Sequence, residues 1–326
     1  MNERTRQGDL KRLAALDVGR CTFAASLAEH GTWRIGGPAD LLVEPESVAQ
    51  IQAVVYFART RGIPLLVIGQ GSNLLFADAG LRGIVLKLGS AFANIAISGN
   101  TITAAAGAWV PGIARRAQQA GLAGLEHTIG IPGTLGGLVV MNGGSQRQGI
   151  GDNVRRLWAV GEKGKLTELT KEECRFGYRS SALQESGVVV VKVELVCPVG
   201  DPRVIRHAML ADLRERRRKF PRKEPNCGSV FLSTAQMHTS VGPPGKIIEE
   251  AGLKGTRCGG AEVSHRHANF IVNTGGASAA DVLALIDRIR HTVHQRIGFT
   301  LACEVRYVDE QAVIRPADQL LVFPGT

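Results

Sequence analysis

The stretch at residues 127–144 restricts the possible folds of this chain more than any other. Its glycines stand among Ile, Leu, Val and Met with almost no charge, whereas a flexible linker would be polar. Glycine in an apolar frame marks backbone that turns with positive φ or that another group approaches closely. Pro132 fixes φ just before Gly133, so the turn is also rigid. Two interpretations fit: a cradle of backbone N–H groups for a phosphate, or a structural turn that packs two elements together.

A second glycine turn favours the cradle. Residues 64–69 are an apolar run between turn signals, which predicts a buried strand, and the turn begins at its last residue, Gly69. The spacing of Gly69 and Gly71 matches neither the Rossmann nor the P-loop fingerprint. Two such turns about sixty residues apart suggest one long ligand with two phosphates, such as a dinucleotide.

Composition sets the class of protein. A chain of 326 residues, 44% hydrophobic and 21% charged, predicts a globular protein of about two domains. The 6 cysteines are scattered and form no C-x-x-C pair, so reduced thiols are expected, with neither disulfides nor a zinc site. The charged first residues are followed by no apolar run, so we expect neither a secretory signal nor a membrane span, and a cytoplasmic location.

The net charge of +10 allows nucleic acid or small polyanions as partners. Basic residues crowd into positions 214–223, but only Phe220 is aromatic there, and a nucleic-acid reader would interleave more aromatics. The cluster is either the solvated end of a helix or an attractor of phosphate and carboxylate groups.

The order of patterns predicts an α+β fold with two lobes. Residues 1–30 are a polar lead-in that we expect to pack loosely. A strand at 39–45, a helix capped by Ser47 and the strand at 64–69 indicate a parallel β-α-β pair. The strongest strand signal is 188–196, and the prolines after it indicate a domain boundary near residue 200. A helix at 204–219, a long helix capped by Ser278 and a strand at 301–308 follow, and the tail at 309–326 has no clear pattern.

Three residues are candidates for chemistry, each with an ordinary alternative. Arg179 can hold a carboxylate bidentately or form a surface salt bridge. Ser229, after Gly228, can deliver a proton or be a simple turn residue. Glu304, alternating with apolar neighbours, is by pattern alone a solvent-face partner of Arg306. The histidine pairs lack further ligands at metal-binding spacing, and no hydrolase motif occurs.

Taken together, these stretches closely resemble the UDP-N-acetylenolpyruvylglucosamine reductase family, from about Thr32 to Val308. The resemblance depends on seven short motifs in this order. They lie at residues 68–75, 130–142, 178–180, 227–231, 248–255, 267–273 and 301–305.

The resemblance implies an FAD-binding domain of the vanillyl-alcohol-oxidase (PCMH) type over residues 31–199, then a smaller α+β substrate domain over 200–308. It implies FAD and NADPH as cofactors, a nucleotide-sugar substrate, and a monomer that binds neither nucleic acid nor membrane. The implied catalytic residues are Arg179, Ser229 and Glu304. The implied FAD contacts are Gly69, Gln70, Gly71, Ser72, Asn73, Leu74, Gly130, Ile131, Pro132, Gly133, Thr134, Gly136, Gly137 and Asn142. The expected substrate contacts are Tyr178, Arg222, Lys223 and Ser233.

Some positions depart from the family pattern. Gly31 replaces an asparagine, and Gly143-Gly144-Ser145-Gln146 replaces the usual continuation after Asn142. Residues 222–224 also differ, and Leu232-Ser233 replaces a Lys-Asn pair, which removes two polar groups near the expected nucleotide site. Three hypotheses are therefore kept: the reductase, a flavoprotein of the same fold with another substrate, and a basic nucleic-acid-binding protein.

Overall fold

A computed structural model describes residues 3–321, and their internal packing divides them into two compact units. The first unit contains residues 3–24, 40–70 and 83–216, and the second contains 25–39, 71–82 and 217–321. Each unit has its own hydrophobic core. The α+β class predicted from the sequence is confirmed, because helices and mostly antiparallel sheets occur in both units.

The helices are α1 (Glu3–Ala14), α2 (Val48–Arg61), α3 (Val110–Gln119), α4 (Leu135–Val140), α5 (Lys171–Cys174), α6 (Pro202–Lys219), α7 (Ala235–Ser240), α8 (Pro244–Glu250) and α9 (Ala279–Ile297). The strands are β1 (Arg20–Ser26), β2 (Pro38–Glu44), β3 (Leu65–Ile68), β4 (Leu74–Phe76), β5 (Leu81–Lys87), β6 (Ile95–Ser98), β7 (Thr101–Ala105), β8 (Val154–Val160), β9 (Leu166–Thr170), β10 (Val189–Val196), β11 (Arg257–Cys258), β12 (Ala261–Val263), β13 (Ile271–Asn273), β14 (Arg306–Val308) and β15 (Ile314–Pro316).

The first unit has a four-stranded sheet, β1-β2-β5-β3, and a five-stranded sheet, β6-β7-β10-β8-β9. The predicted β2-α2-β3 order is present, but the expected pairing of β2 with β3 is wrong. Strand β5 lies between them and pairs with β3 in parallel, from Leu65 opposite Ile84 to Ile68 opposite Lys87. The strong strand β10 is central in the other sheet and pairs antiparallel with β7 and β8.

Local signals set both capped helices. Ser47 and Ser278 are the N-caps of α2 and α9, and each side chain accepts a hydrogen bond from the backbone three residues on. Gly62 and Gly298 end the same helices in the left-handed conformation, which glycine adopts without a Cβ penalty.

The expectation for the N-terminal lead-in is wrong, and the C-terminal tail, for which the sequence gives no clear pattern, has regular structure. The lead-in does not pack loosely: α1 buries Leu10 and Leu13 completely. The tail is structured up to residue 321, since β15 pairs with β14 and Ala317 is fully buried. The predicted strand at 301–308 is regular only in β14, while Cys303 forms an isolated bridge with Phe231. The final five residues of the predicted tail lie outside the described part of the chain.

Candidate functional site

The glycine stretch at 127–144 folds into a 3-10 turn (Glu126–Thr128), a tight bend and the short helix α4. Gly133 in the bend has φ +154°. Gly136 lies against Ala106, where an added Cβ would stand 3.0 Å from the alanine methyl group. Thr134 is the N-cap of α4, but its buried hydroxyl makes no capping hydrogen bond. The stretch is therefore partly structural and partly open to another group.

The two glycine turns meet in the first unit at Gly69. A Cβ on Gly69 would overlap the hydroxyl of Thr134, so glycine is required for this approach. This contact supports a shared site for both turns. The Thr134 side chain alone, however, is enough to explain why residue 69 is glycine.

The turn after β3 continues into the second unit at Gly71, which has φ +59° and lies against the carbonyl of His30. Among residues 3–321, no acceptor receives a hydrogen bond from the backbone N–H of Gln70, Gly71, Ser72 or Asn73. Consecutive free N–H groups beside a left-handed residue are the chemistry that binds an anionic group such as a phosphate.

Sequence reasoning missed the role of Arg216. The Cδ and Nε atoms of this half-buried side chain occupy the position that a Cβ on Gly130 would need. Burial lowers the pKa of Arg216, while the nearby carboxylate of Asp212 opposes this shift. The sequence presents Arg216 as one of several basic residues at the end of α6, and only the fold places it on the glycine stretch.

Arg179 lies in a tight turn, residues 177–180, that we call the Arg179 turn. Gly177 and Ser180 exchange two backbone hydrogen bonds, and Arg179 has φ +52°. The Arg179 guanidinium donates from Nη2 to the carbonyl of Gly144 at 2.6 Å and stacks over the Tyr178 ring at 5.4 Å. The predicted carboxylate-binding side chain is therefore held in one direction by the segment that follows α4.

Side chains from the glycine stretch hold this turn. Asn142 donates from Nδ2 to the carbonyl of Gly177 at 2.8 Å and accepts from the N–H of Gly151 at 2.8 Å. On the other side, the hydroxyl of Ser181 donates to the carbonyl of Val140 at 2.6 Å. Asn142 was expected to contact FAD; in the first unit its side chain supports the Arg179 turn.

In the second unit, Ser229 and Glu304 lie on neighbouring backbone. The N–H of Glu304 donates to the carbonyl of Val230 at 2.8 Å, and Phe231 forms a bridge with Cys303. We call residues 228–232 the Ser229 segment. Ser229 is half-buried and directly precedes Val230, so the fold brings the backbones of two of the three predicted catalytic residues close together.

The opposite edge of the Ser229 segment is held by Asn269, which is 4% exposed. The Asn269 side chain accepts from the N–H of Phe231 and donates to its carbonyl, both at 2.9 Å, as a paired strand would. Cys227 precedes the segment, and burial raises the pKa of its thiol to about 12, so it stays neutral.

The predicted substrate contacts differ in their surroundings. Arg222 and Lys223 are exposed in the loop after α6, and Tyr178 is 49% exposed. The Ser233 hydroxyl lies 2.9 Å from Nε2 of His238, with which it shares a hydrogen bond. The roles of these residues toward a ligand stay predictions.

Between residues 3 and 321, no helix is both long and apolar enough to cross a membrane. Within the same range, no group of three or more His, Cys, Asp or Glu side chains is arranged to hold a metal ion.

Comparison with known proteins identifies the family. Residues 220–308 match the model of the UDP-N-acetylenolpyruvoylglucosamine reductase C-terminal domain, and residues 39–170 match an FAD binding domain. The chain is 47% identical over 301 residues to UDP-N-acetylenolpyruvoylglucosamine reductase 1 of Corynebacterium glutamicum, covering 92% of this chain and 90% of that protein. The chain belongs to the UDP-N-acetylenolpyruvoylglucosamine reductase family.

Two other members of this reductase family agree. The enzyme of Heliobacterium modesticaldum is 44% identical over 284 residues, which cover 87% of this chain and 89% of that one. The crystal structure of the reductase from Thermus caldophilus superposes with a TM-score of 0.75 at 32% identity, covering 88% of this chain and 98% of the other. The resemblance and the FAD-binding domain predicted from the sequence are confirmed.

Proposed function

We propose that this chain is an FAD-dependent, NADPH-consuming oxidoreductase of peptidoglycan synthesis. It reduces the enolpyruvyl group of UDP-N-acetylglucosamine enolpyruvate to give UDP-N-acetylmuramate. The observation that carries this proposal is the match to the C. glutamicum reductase along nine-tenths of both chains, at 47% identity. A match of this length includes both glycine turns, Arg179 and Ser229, and Glu304 lies within the matched C-terminal domain, residues 220–308.

The residues of the two glycine turns fit FAD. In the first unit, the backbone N–H of Gln70 and the hydroxyl of Thr134, which makes no capping hydrogen bond, are donors suited to the anionic diphosphate of this cofactor. Gly137 leaves open space, since its added Cβ would meet Thr134 Oγ1 only at 3.7 Å. Bound there, FAD would supply the hydride transfer from NADPH to the methylene carbon of the enolpyruvyl group.

Residues of this chain stabilise the negative charge that develops on the substrate and supply the proton that completes its reduction. Negative charge develops on the substrate carboxylate as the methylene carbon accepts hydride. Arg179 stabilises this enolate-like state by its positive charge, and Glu304 does so by donating a hydrogen bond from the neutral acid form, which this role requires. The Ser229 hydroxyl then donates its proton to the carbon beside the carboxylate. Ser229 and Glu304 suit a joint role because the Glu304 N–H to Val230 carbonyl bond ties their backbones together.

Recognition of the nucleotide sugar is assigned to exposed residues. Arg222 and Lys223 attract the UDP diphosphate, while Tyr178 and Ser233 supply polar contacts. In this scheme residues 31–199 form the FAD-binding domain and also supply Tyr178 and Arg179, while residues 200–308 form the substrate-binding domain. We further propose that the protein works as a cytoplasmic monomer, and that the nucleic-acid alternative does not apply.

The test separates the two half-reactions under anaerobic conditions. Purified protein is expected to release FAD on denaturation, to be bleached by NADPH and to be reoxidised by the enolpyruvyl nucleotide. Protein that binds FAD and is bleached, but is not reoxidised by this substrate, would be a flavoprotein with another substrate. Protein without FAD that is retained on DNA with a steep salt dependence would support the nucleic-acid hypothesis.

A further inference from the structure

His127 stands at the start of the glycine stretch and has no part in the mechanism above. His127 is 3% exposed, and Ser145 makes two hydrogen bonds with it, one to the ring and one to the backbone. The Ser145 backbone N–H donates to Nδ1 of His127 at 3.4 Å, and the Ser145 hydroxyl donates to the His127 carbonyl at 2.6 Å. Ser145 is also one of the positions at which this chain departs from the family pattern.

One peptide group joins this pair to Arg179. The N–H that His127 accepts belongs to Ser145, and the carbonyl of the same peptide bond is that of Gly144. That carbonyl accepts the 2.6 Å hydrogen bond from Nη2 of Arg179. Because the peptide group is planar, fixing the direction of its N–H also fixes the direction of its carbonyl.

The peptide group between Gly144 and Ser145 lies outside any helix or strand. Gln146 and Arg147, the next residues, both have positive φ, at +54° and +64°. A Cβ on Gly144 would overlap the carbonyl of Gln148, so the loop is closely folded on itself. Non-glycine residues at positive φ are strained and need outside support. One such contact is the hydrogen bond from the Ser145 hydroxyl to the His127 carbonyl.

We propose that His127 is a positioning residue: through the peptide between Gly144 and Ser145 it fixes the direction in which Arg179 presents its guanidinium. This inference rests on the proposed function only in taking Arg179 as the group that binds the substrate carboxylate. The role requires that Nδ1 carry no proton, which leaves the proton of the neutral ring on Nε2.

Burial and neighbouring charges both influence whether the His127 ring is protonated. Burial is the largest influence and lowers the pKa of His127, and the nearby positive charge of Arg179 lowers it further. Asp152 and Glu126 act in the opposite direction. A protonated His127 cannot accept from Ser145 and repels Arg179. Activity should therefore be present above the His127 pKa, which lies below its usual ~6.5, and be lost as pH falls through it.

The test compares two substitutions of His127. His127→Phe keeps a ring but removes the acceptor, and should lower kcat/KM for the enolpyruvyl substrate about three- to tenfold, the worth of one hydrogen bond. The loss should be mainly in KM, with NADPH-dependent flavin reduction unchanged. His127→Asn offers a side-chain oxygen in place of Nδ1, and should restore activity while abolishing its decline at acid pH. His207→Phe, at an exposed position of α6, is the matched control.

A double-mutant cycle separates positioning from general structural support. In an Arg179→Lys background, His127→Phe should change substrate affinity little further, because its effect passes through the arginine. Full additivity, wild-type kinetics in His127→Phe, or an unchanged acid limb in His127→Asn would each overturn the inference. If His127→Phe fails to fold, the pH profile of His127→Asn still decides. Failure of wild-type protein to react with the substrate would instead count against the proposed function.

Discussion

The Arg179 turn and the Ser229 segment hold proposed catalytic residues in different ways. The Ser229 segment is fixed mostly by backbone pairing, with the Glu304 N–H on one edge and the amide of Asn269 completing the other. The Arg179 turn depends on separate side chains, among them Asn142, Ser181 and the pair His127–Ser145. Backbone pairing is shared over several bonds, so we expect substitution of a supporting side chain to raise KM for the substrate more at the Arg179 turn than at the Ser229 segment.

The largest expected effect tests whether the Ser229 segment supplies chemistry at all. Ser229→Ala should slow reoxidation by the enolpyruvyl substrate about 10²–10⁴-fold, the usual contribution of a positioned acid. Reduction of the flavin by NADPH needs no such proton and should be unchanged, so it serves as the internal control in anaerobic stopped-flow. Ser229→Cys should keep part of the activity, because a thiol also donates a proton. Wild-type reoxidation in Ser229→Ala would make Ser229 a turn residue.

The next effect concerns stability in the second unit. Asn269→Ala leaves the buried N–H and carbonyl of Phe231 without partners, and should lower the free energy of unfolding by about 2–4 kcal/mol. Chemical denaturation measures this loss. Because β-type pairing with residues 302–304 remains, kcat of the protein that stays folded should change little. A large fall in kcat without loss of stability would contradict the backbone-pairing account.

Asn142→Ala is the corresponding test in the Arg179 turn. It removes the hydrogen bonds to Gly177 and from Gly151, and it puts alanine at φ +42°. We expect a loss of about 1–3 kcal/mol in stability and a rise in KM for the substrate, because Arg179 loses its support. Asn142→Gly accepts the backbone conformation and isolates the hydrogen-bond part. If both variants bind substrate normally, Asn142 does not position the Arg179 turn.

The smallest effect distinguishes structural glycines from those that a ligand approaches. Gly137→Ala in α4 meets only an ordinary contact within the protein and should stabilise the cofactor-free protein by about 0.5–1 kcal/mol. It should nevertheless weaken FAD binding, which fluorescence titration measures. Gly112→Ala in α3 has comparable space, 3.5 Å from the Trp109 ring, and is the control. Unchanged FAD affinity in Gly137→Ala would assign Gly137 to packing alone.

Local sequence determined the features that depend on neighbours in the chain. The caps at Ser47 and Ser278 fixed where α2 and α9 begin, and the helix predicted at residues 204–219 ends where α6 ends, because these signals act over a few residues. The glycine turns and the motif at residues 227–231 likewise identified the family without any coordinates.

Only the tertiary structure decided which distant segments meet. No local signal inserts β5 between β2 and β3, places Arg216 on Gly130, or brings the Glu304 backbone beside Val230. These contacts join residues far apart in the chain, and their free energy comes from burial and pairing that exist only after folding. The same holds for His127: sequence shows a histidine near a glycine stretch, and the fold connects it through one peptide group to Arg179.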